Sequence, residues 1–298
     1  MSQNLADLQR FAVAGAVAVV AGDGGLPVIR VATERCRAEI HLHGAHVTRW
    51  QPTGHGEVLW LSALSRFAEN TPIRGGVPLC WPWFGPHPVE STLPGHGHAR
   101  IRRWRLDSVE VADGTVSVSL SDDGGPLPGF PHAWQTQVRI TAGSTLTIAL
   151  ATTNAGGAPF TISEALHTYL AVSDVRRCRI AGLGGTTVFD KVAKQRGTQA
   201  AGDLVLAGWT DQVHLGHTGA VTIADPGWNR QIVVSKTGSQ STVVWNPWVA
   251  QAAKMPDFAA AEWPGMLCVE AANCLDDVVT VAPGTTRQLA TTIAVEPG

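Results

Sequence analysis

"WQTQVRI" (134–140) and "TLTIALATTN" (145–154) decide the fold class, because polar and apolar residues alternate along both segments and β-branched residues are frequent. Glycine, proline and Asn/Asp clusters separate further segments of the same kind. Helical periodicity is scarce, and "SALSRF" (62–67) is predicted to form a short helix. The pattern predicts an all-β protein, a large antiparallel β-sandwich with few short helices, as a single domain over residues 1–298. The other predicted strands are 27–33, 36–42, 115–120, 220–225, 230–236, 241–246, 266–273 and 287–296.

The overall charge limits the class of binding partner. The chain has 298 residues, a hydrophobic content of 44% and a formal net charge of −2. This balance argues against general binding of nucleic acid or of a membrane surface. An anionic ligand would have to be met by a local basic site, so we expect a small-molecule partner, with no nucleic acid and no membrane.

Cysteine usage and the N-terminal run bear on the compartment. The five cysteines are an odd number without a CxxC pair, which argues against a disulfide framework and favours the reducing cytoplasm. The apolar run "FAVAGAVAVVAG" (11–22) follows Arg10, which Asp7 balances, so it is a poor signal peptide. It is also too short to span a bilayer, and we predict that it forms an opening helix or strand.

The segment "PIRGGVPLCWPWFGPHP" (72–88) is irregular by composition. Prolines, glycines and aromatic residues surround a single arginine, Arg74. Proline fixes φ and glycine permits unusual backbone shapes, so the segment is predicted to be a stiff loop. Binding residues are often placed on such loops. Trp81, Trp83 and Phe84 are either packing residues or ligand contacts, and their positions in the sequence do not separate these alternatives.

A second basic segment, "LPGHGHARIRRW" (93–104), indicates an anionic ligand. Guanidinium groups hold phosphate bidentately and stay charged at neutral pH. Arg74 and Arg100 both lie in segments punctuated by glycine and proline, which favours a binding role. Arg102 and Arg103 are predicted to point to opposite faces of the following strand, with at least one of them on the solvated surface.

His167 and Glu270 are the candidate acid–base residues. His167 lies in the strand-like segment "ISEALHTYL" (162–170), and a histidine in a pocket can exchange a proton near pH 7. Glu270 interrupts the apolar run "MLCVEAA" (266–272), where burial would raise its pKa towards the range of a general base. The alternatives are a core histidine with a satisfied hydrogen bond and a glutamate in a structural ion pair.

We predict no metal and no other cofactor. His41, His43 and His46 in "HLHGAH", with His96 and His98 in "HGHAR", offer possible ligands. Nothing in the sequence places a third ligand or an outer shell for a metal. The glycine-rich segment "GLGG" (182–185) lacks the following helix that a nucleotide-binding loop needs, so it is predicted to be a turn.

Together these segments resemble the hexose-6-phosphate mutarotases (glucose-6-phosphate 1-epimerases) of the galactose-mutarotase-like superfamily. The resemblance covers nearly the whole chain and rests on an ordered set of segments. They are "GAHVTRW" (44–50), "VLWLSALSRF" (58–67), "PIRGGVPLCWPWFGP" (72–86), "LPGHGHAR" (93–100), "EALHTYL" (164–170), "FDK" (189–191), "VVWNPW" (243–248), "MPDF" (255–258) and "MLCVEAAN" (266–273).

The resemblance implies the fold, the reaction and the site. The fold would be the galactose-mutarotase-like sandwich, and the reaction would interconvert the α and β anomers of glucose 6-phosphate or a related aldohexose 6-phosphate. Catalysis would rest on Glu270 as base and His167 as acid in ring opening. The residues implied to bind substrate are Arg74, Arg100, Asp190 and His96.

Two departures from the family pattern lie beside Arg100. Gly95 replaces a residue that is often Gln or another small polar residue, and His98 replaces one that is usually apolar. These changes bear on substrate preference and leave open an aldose 1-epimerase for non-phosphorylated sugars. A non-catalytic carbohydrate-binding protein on the same fold is a further alternative. We expect a monomer or a weak homodimer.

Overall fold

Antiparallel β-sheet dominates the computed structural model, which describes residues 3–298. Every strand predicted from alternation is present, and the all-β prediction is confirmed. The strand ends agree within two residues of the predicted ones except for 115–120, whose strand continues to Gly124. The strands are β1 (Val17–Ala21), β2 (Pro27–Ala32), β3 (Cys36–His41), β4 (His46–Pro52), β5 (Leu79–Cys80), β6 (Arg105–Ala112), β7 (Thr115–Gly124), β8 (Trp134–Ala142), β9 (Leu146–Asn154), β10 (Phe160–Ile162), β11 (Glu164–Leu166), β12 (Tyr169–Ala171), β13 (Arg179–Ala181), β14 (Thr187–Asp190), β15 (Gln195–Thr198), β16 (Thr210–Leu215), β17 (Val221–Asp225), β18 (Arg230–Thr237), β19 (Ser241–Asn246), β20 (Met266–Asn273), β21 (Val279–Val281) and β22 (Thr286–Pro297).

The helices are short. No helix among residues 3–298 has the length and apolar character needed to cross a membrane. The apolar run 11–22 contains strand β1, as one of its two predicted forms required. The α-helices are α1 (Leu5–Leu8) and α2 (Trp248–Ala252), and the 3₁₀ helices are Gln9–Phe11, Asp23–Gly25, Ala99–Ile101, Ala260–Gly265 and Leu275–Asp277.

The helix predicted for residues 62–67 is wrong. This segment makes a turn, in which the Ser65 N–H donates to the Ser62 carbonyl at 3.0 Å. The serine hydroxyls bind backbone instead of facing solvent, since Ser62 Oγ accepts from the Leu64 N–H and Ser65 Oγ accepts from the Arg74 N–H. Serine side chains compete with helical hydrogen bonds in this way, and here they tie the turn to the loop that carries Arg74.

Two eight-stranded sheets form the sandwich. One has the order β13-β17-β18-β22-β9-β8-β7-β6, and the other has the order β15-β14-β16-β19-β20-β11-β5 with β12 also paired to β20. A four-stranded sheet, β1-β2-β3-β4, and the pair β10-β21 complete the fold. Along β8 and β9 burial alternates residue by residue, because one face of these strands packs on the core and the other meets solvent.

Strand β20 differs from the outer strands because every one of its residues is buried. Its apolar face packs into the core with Leu267, Val269 and Ala271, whereas Glu270 lies on the alternate face. β19 pairs along one edge of β20, and β11 and β12 pair along the other. The burial of every residue of β20 confirms that the strand around Glu270 is covered on both faces.

Candidate active site

The two predicted acid–base residues lie side by side. Glu270 is in the middle of β20, and His167 occupies the gap between β11 and β12, which both pair with β20. His167 Nδ1 is 3.4 Å from Glu270 Oε1. The His167 backbone N–H donates to the Pro78 carbonyl, so the irregular loop also holds the histidine in position. Strand register, together with this hydrogen bond to the loop, therefore places the imidazole next to the carboxylate.

Aromatic rings enclose His167. Its ring stacks on Tyr169 with centroids 4.7 Å apart and an interplanar angle of 6°. Trp245 meets it at a centroid distance of 6.2 Å, His96 at 5.7 Å and Phe84 at 6.4 Å. This packing leaves His167 only 8% exposed and restricts the rotation of the imidazole ring.

Burial governs the protonation of the pair. It raises the pKa of Glu270 well above 4.5, and the nearby Lys191 offsets that rise in part. Burial also lowers the pKa of His167 well below 6.5, and the positive charge of Arg74 and Arg100 adds to the effect. Both shifts favour the neutral forms, so the pair holds one exchangeable proton over a broad range of pH.

Arg74 is held by residues distant in the sequence. Its Nη2 is 3.1 Å from Asp257 Oδ2, and its Nη1 donates to the Tyr169 hydroxyl at 2.9 Å. Burial opposes the charge of Arg74, but these two partners raise its pKa overall, so the guanidinium stays charged. The following Gly75 and Gly76 have φ of 120° and 60°, and a Cβ on either would lie within 2.4 Å of a backbone oxygen. Glycine is therefore required for the turn at Arg74.

Arg100 has fewer partners than Arg74. It lies in the 3₁₀ helix Ala99–Ile101, its Nη2 donates to the Gly95 carbonyl at 2.6 Å, and its Nε is buried with no partner among residues 3–298. Burial lowers the pKa of Arg100. Gly95 thus contributes a backbone carbonyl at the position where the family pattern often has Gln or another small polar residue, and a Cβ there would have ordinary contact distances. The arrangement leaves Arg100 as the cation best suited to an additional anion.

The other basic residues of the second segment point elsewhere. His98 Nε2 lies 3.0 Å from the Pro128 carbonyl, and its ring packs on Trp83. Arg102 forms an ion pair with Asp122, and Arg103 is exposed, as predicted for at least one of these arginines.

His96 and Phe84 border the pair. The His96 backbone has a φ of 64°, and its Nδ1 accepts from the Gly85 N–H at 3.3 Å. Burial lowers the pKa of His96 well below its ordinary value, so the ring is neutral. Phe84 packs against His96 and His167, whereas Trp81 and Trp83 are buried against other parts of the structure. Of the three loop aromatics, Phe84 is the one at the site.

Asp190 is engaged by its own turn. Its Oδ1 accepts the N–H groups of Val192 and Ala193, and its Oδ2 accepts from Gln212 Nε2 at 3.3 Å. The neighbouring Lys191 forms the more direct link to the site, because its ammonium lies 4.7 Å from the centre of the Phe84 ring. Lys191 is itself paired with Asp211, with Nζ and Oδ1 3.2 Å apart. The substrate-binding role of Asp190 therefore stays a prediction.

The sequence-based candidates omitted Lys191, Asp211, Asp257 and Tyr169. Three of these were within reach, because Lys191 belongs to "FDK", Asp257 to "MPDF" and Tyr169 to "LHTYL". Asp211 lies at the start of β16, outside all the quoted segments, and no local signal marked it.

Two of the three histidines of "HLHGAH" lie against backbone carbonyls. His43 Nε2 lies 2.7 Å from the Thr71 carbonyl, and His46 Nε2 lies 2.7 Å from the Gly75 carbonyl. Burial lowers the pKa of His41 to about 4 and that of His46 to about 3. His46 thereby supports the backbone turn next to Arg74.

Comparison with known proteins places this geometry in a family. The sequence profile of the family described as aldose 1-epimerase matches residues 27–294. The chain belongs to the aldose 1-epimerase family. A protein of Cenchrus ciliaris named as a candidate glucose-6-phosphate 1-epimerase is 35% identical over 269 residues, which cover 86% of this chain and 80% of that protein. An Escherichia coli K12 protein with the same name is 36% identical over 251 residues, which cover 83% of each chain.

A solved structure agrees with these relatives. The crystal structure of a candidate mutarotase, YeaD, from Salmonella typhimurium matches with a TM-score of 0.89 and 30% identity, and the match covers 96% of each chain. The resemblance stated from the sequence is confirmed. The chain is an isomerase on a mutarotase sandwich, and its reaction class is the interconversion of sugar anomers.

Proposed function

We propose that the chain interconverts the α and β anomers of an aldohexose 6-phosphate, with D-glucose 6-phosphate as its preferred substrate. The observation that carries the proposal is the buried His167–Glu270 pair at 3.4 Å, with Arg74 and Arg100 close enough to influence its protonation. The names of the curated relatives support the choice of sugar.

The reaction requires one proton to be removed and one to be supplied. The Glu270 carboxylate takes the proton of the C1 hydroxyl while the His167 imidazolium protonates the ring oxygen, so the C1–O bond of the ring breaks. The resulting aldehyde rotates about its C1–C2 bond, and the ring closes on the other face with the two roles reversed. The enclosing aromatic residues keep the open chain positioned for closure.

The proton count of the pair is compatible with these roles. Neutral Glu270 with neutral His167 contains as many protons as the carboxylate with the imidazolium, so one transfer across 3.4 Å converts one form to the other. A phosphate dianion beside Arg74 and Arg100 offsets the charge that lowers the pKa of His167. A phosphorylated sugar therefore favours the imidazolium that ring opening needs, and an uncharged sugar does not.

A neutral aldose is the second candidate substrate. It is favoured by the pairing of Arg74 with Asp257 and of Lys191 with Asp211, since both pairs neutralise cations that could otherwise bind phosphate. Arg100 argues for phosphate, because its only side-chain hydrogen bond among residues 3–298 is to the uncharged carbonyl of Gly95.

The deciding experiment follows the anomerisation of α-glucose 6-phosphate and α-glucose and subtracts the spontaneous rate. We expect kcat/KM to be higher for the phosphate. Equal values would reject phosphate recognition. Binding of either sugar without anomerisation above the spontaneous rate would identify a carbohydrate-binding protein instead.

We propose further that the chain works as a single domain over residues 1–298, as a monomer or weak homodimer in the cytoplasm, with no nucleic acid or membrane partner. One core cluster that includes residues of all three large sheets supports the single domain. The five cysteines are all free and buried, which suits a reducing compartment. Light scattering of the purified protein tests the oligomeric state.

A further inference from the structure

A third reactive side chain lies beside the acid–base pair. Potential ligand atoms of His167, Cys268 and Glu270 all lie within 4.8 Å of one another, and the three residues are buried. They form the one group of three or more His, Cys, Asp or Glu residues in the stretch 3–298 with this spacing. The proposed reaction uses the imidazole and the carboxylate but has no role for the thiol.

We propose that His167, Cys268 and Glu270 form a reversible binding site for a divalent cation that prefers thiolate ligands, with Zn²⁺ as the preferred ion. The bound ion blocks the acid–base pair. The site is an inhibitory one, because the ion occupies the two groups that must exchange protons with the sugar. Only this inhibition rests on the proposed function; binding of the ion does not.

The spacing of the donor atoms suits tetrahedral coordination. Two ligands at Zn–N and Zn–O distances of about 2.0–2.1 Å subtend a tetrahedral edge of roughly 3.3 Å. The separation of His167 Nδ1 and Glu270 Oε1 is 3.4 Å. With a Zn–S distance of about 2.3 Å the sulfur needs to lie roughly 3.5 Å from the other two donors. The Cys268 sulfur lies no farther than 4.8 Å from either donor, so coordination requires it to approach them by about 1.3 Å at most.

The backbone presents the donors on one face of one sheet. Cys268 and Glu270 are two residues apart on β20, so their side chains point to the same face of the sheet. Tyr169 pairs in register with Cys268 and follows His167 by two residues, which brings the imidazole over the same face. His167 Nδ1, which lies 3.4 Å from Glu270 Oε1, is buried without a hydrogen-bond partner among residues 3–298. A metal ion between these two atoms would give the imidazole nitrogen a partner.

The charges around the site permit a divalent ion. Zn²⁺ with one thiolate and one carboxylate is neutral overall, once the thiol proton of Cys268 and the carboxyl proton of Glu270 have both passed to water. Of the cations that face His167, Arg74 is paired with Asp257 and Lys191 with Asp211. Arg100 is the remaining positive charge, so affinity is moderate and binding is reversible. Water, or an oxygen of the sugar, would complete the coordination.

Titration with Co²⁺ tests the site without reference to activity. Co²⁺ bound by a thiolate gives charge-transfer absorption in the near ultraviolet, and we expect this band in the chelator-treated wild type. It should disappear in Cys268→Ser and persist in Cys274→Ser. Cys274 is the matched control, because it is also buried and free and immediately follows β20 but lies outside the group of three.

Inhibition by Zn²⁺ is the second measurement. In Cys268→Ser we expect the Zn²⁺ concentration for half inhibition of anomerisation to rise by about 10- to 100-fold or more. Mutation of a residue that only contacts a metal ligand already lowers metal affinity on this scale. The rate without metal should stay close to wild type, and a chelator should restore the inhibited wild type. Cys268→Ala serves in the same way if the serine hydroxyl disturbs the buried position.

Two outcomes would overturn the site. One is a Co²⁺ thiolate band and Zn²⁺ sensitivity that persist in folded Cys268→Ser and Cys268→Ala. The other is their equal loss in Cys274→Ser. A wild type that shows the cobalt band but does not anomerise sugars would refute the proposed function and leave the metal site standing.

Discussion

Strand β20 and the irregular loop that carries Arg74 build the site in different ways. On β20, hydrogen-bonded register with β11 and β12 puts Glu270 beside His167. In the loop, Arg74 depends on side chains from elsewhere, above all on Asp257, which is 183 residues away. In the proposed mechanism the sheet therefore provides the acid–base groups with fixed geometry, whereas the loop provides charge whose position depends on its partners. Variants of the two regions should therefore change different kinetic constants.

The largest effect is expected in the sheet. Glu270→Gln and His167→Asn keep the approximate shape of each side chain but remove the proton exchange, so kcat should fall by about 10²- to 10⁴-fold. Substrate binding should change little, because the arginines are retained. Progress curves of α-glucose 6-phosphate anomerisation give kcat and KM separately.

Glu164→Gln is the matched control for this experiment. Glu164 is a buried carboxyl on β11, and its pKa is raised to about 8 by burial, but it lines a cleft with Asn273 and Arg287 away from His167. Activity close to wild type is expected. An equal loss in Glu164→Gln would mean that disturbance of the sheet, and not loss of proton exchange, explains the result.

The second effect belongs to the loop side of the comparison. Arg100→Met should lower kcat/KM for glucose 6-phosphate by roughly 10- to 100-fold, the scale of about 1.5–3 kcal/mol for a hydrogen bond to a charged group. The value for glucose should be nearly unchanged. Arg102→Met is the control, because Arg102 is paired with Asp122. Equal losses on both sugars would remove Arg100 from phosphate recognition.

The pH profile separates the two regions by another route. The pKa of His167 is lowered and that of Glu270 is raised, so protonation of His167 removes the form with one shared proton only well below pH 6.5, and ionisation of Glu270 removes it only well above pH 4.5. We expect kcat/KM to fall about tenfold per pH unit on each limb. Glucose 6-sulfate, whose charge does not titrate in this range, controls for ionisation of the phosphate.

A variant of Lys191 tests whether nearby charge sets these two pKa values. Its positive charge lowers the pKa of both Glu270 and His167, so Lys191→Met should move both limbs to higher pH. Arg196→Met is the control, because Arg196 pairs with Asp276 on the exposed surface. Limbs that stay in place in Lys191→Met would contradict the electrostatic coupling of Lys191 to the pair.

The smallest effect is expected for the partner of Arg74. Asp257→Asn keeps a hydrogen-bond acceptor but removes the charge that orients the guanidinium, so KM for glucose 6-phosphate should change by about 3- to 10-fold with little change in kcat. A drop in kcat as large as that of Glu270→Gln would show that the loop takes part in the chemistry. In that case the division between sheet and loop fails.

Strands were predictable because their signal is local. Alternation of burial appears in the sequence as alternation of residue type, and β8 and β9 follow it closely. Glu270 was predictable for the same reason, since a carboxyl inside an apolar strand is unusual. The segment 62–67 failed because its serine hydroxyls bind backbone, and this hydrogen bonding leaves no periodic pattern.

The acid–base pair and the charged residues near it therefore differ in how far the sequence predicts them. Residue pattern was sufficient for the strands, the irregular backbone around Arg74 and the unusual carboxyl of Glu270, because each depends on neighbours in the chain. The packing of Phe84 at the site, the pairing of Lys191 with Asp211, and the approach of Cys268 to His167 required the folded chain. These contacts join residues that only sheet pairing and loop packing bring together, and their distances are set by the backbone of the whole sandwich.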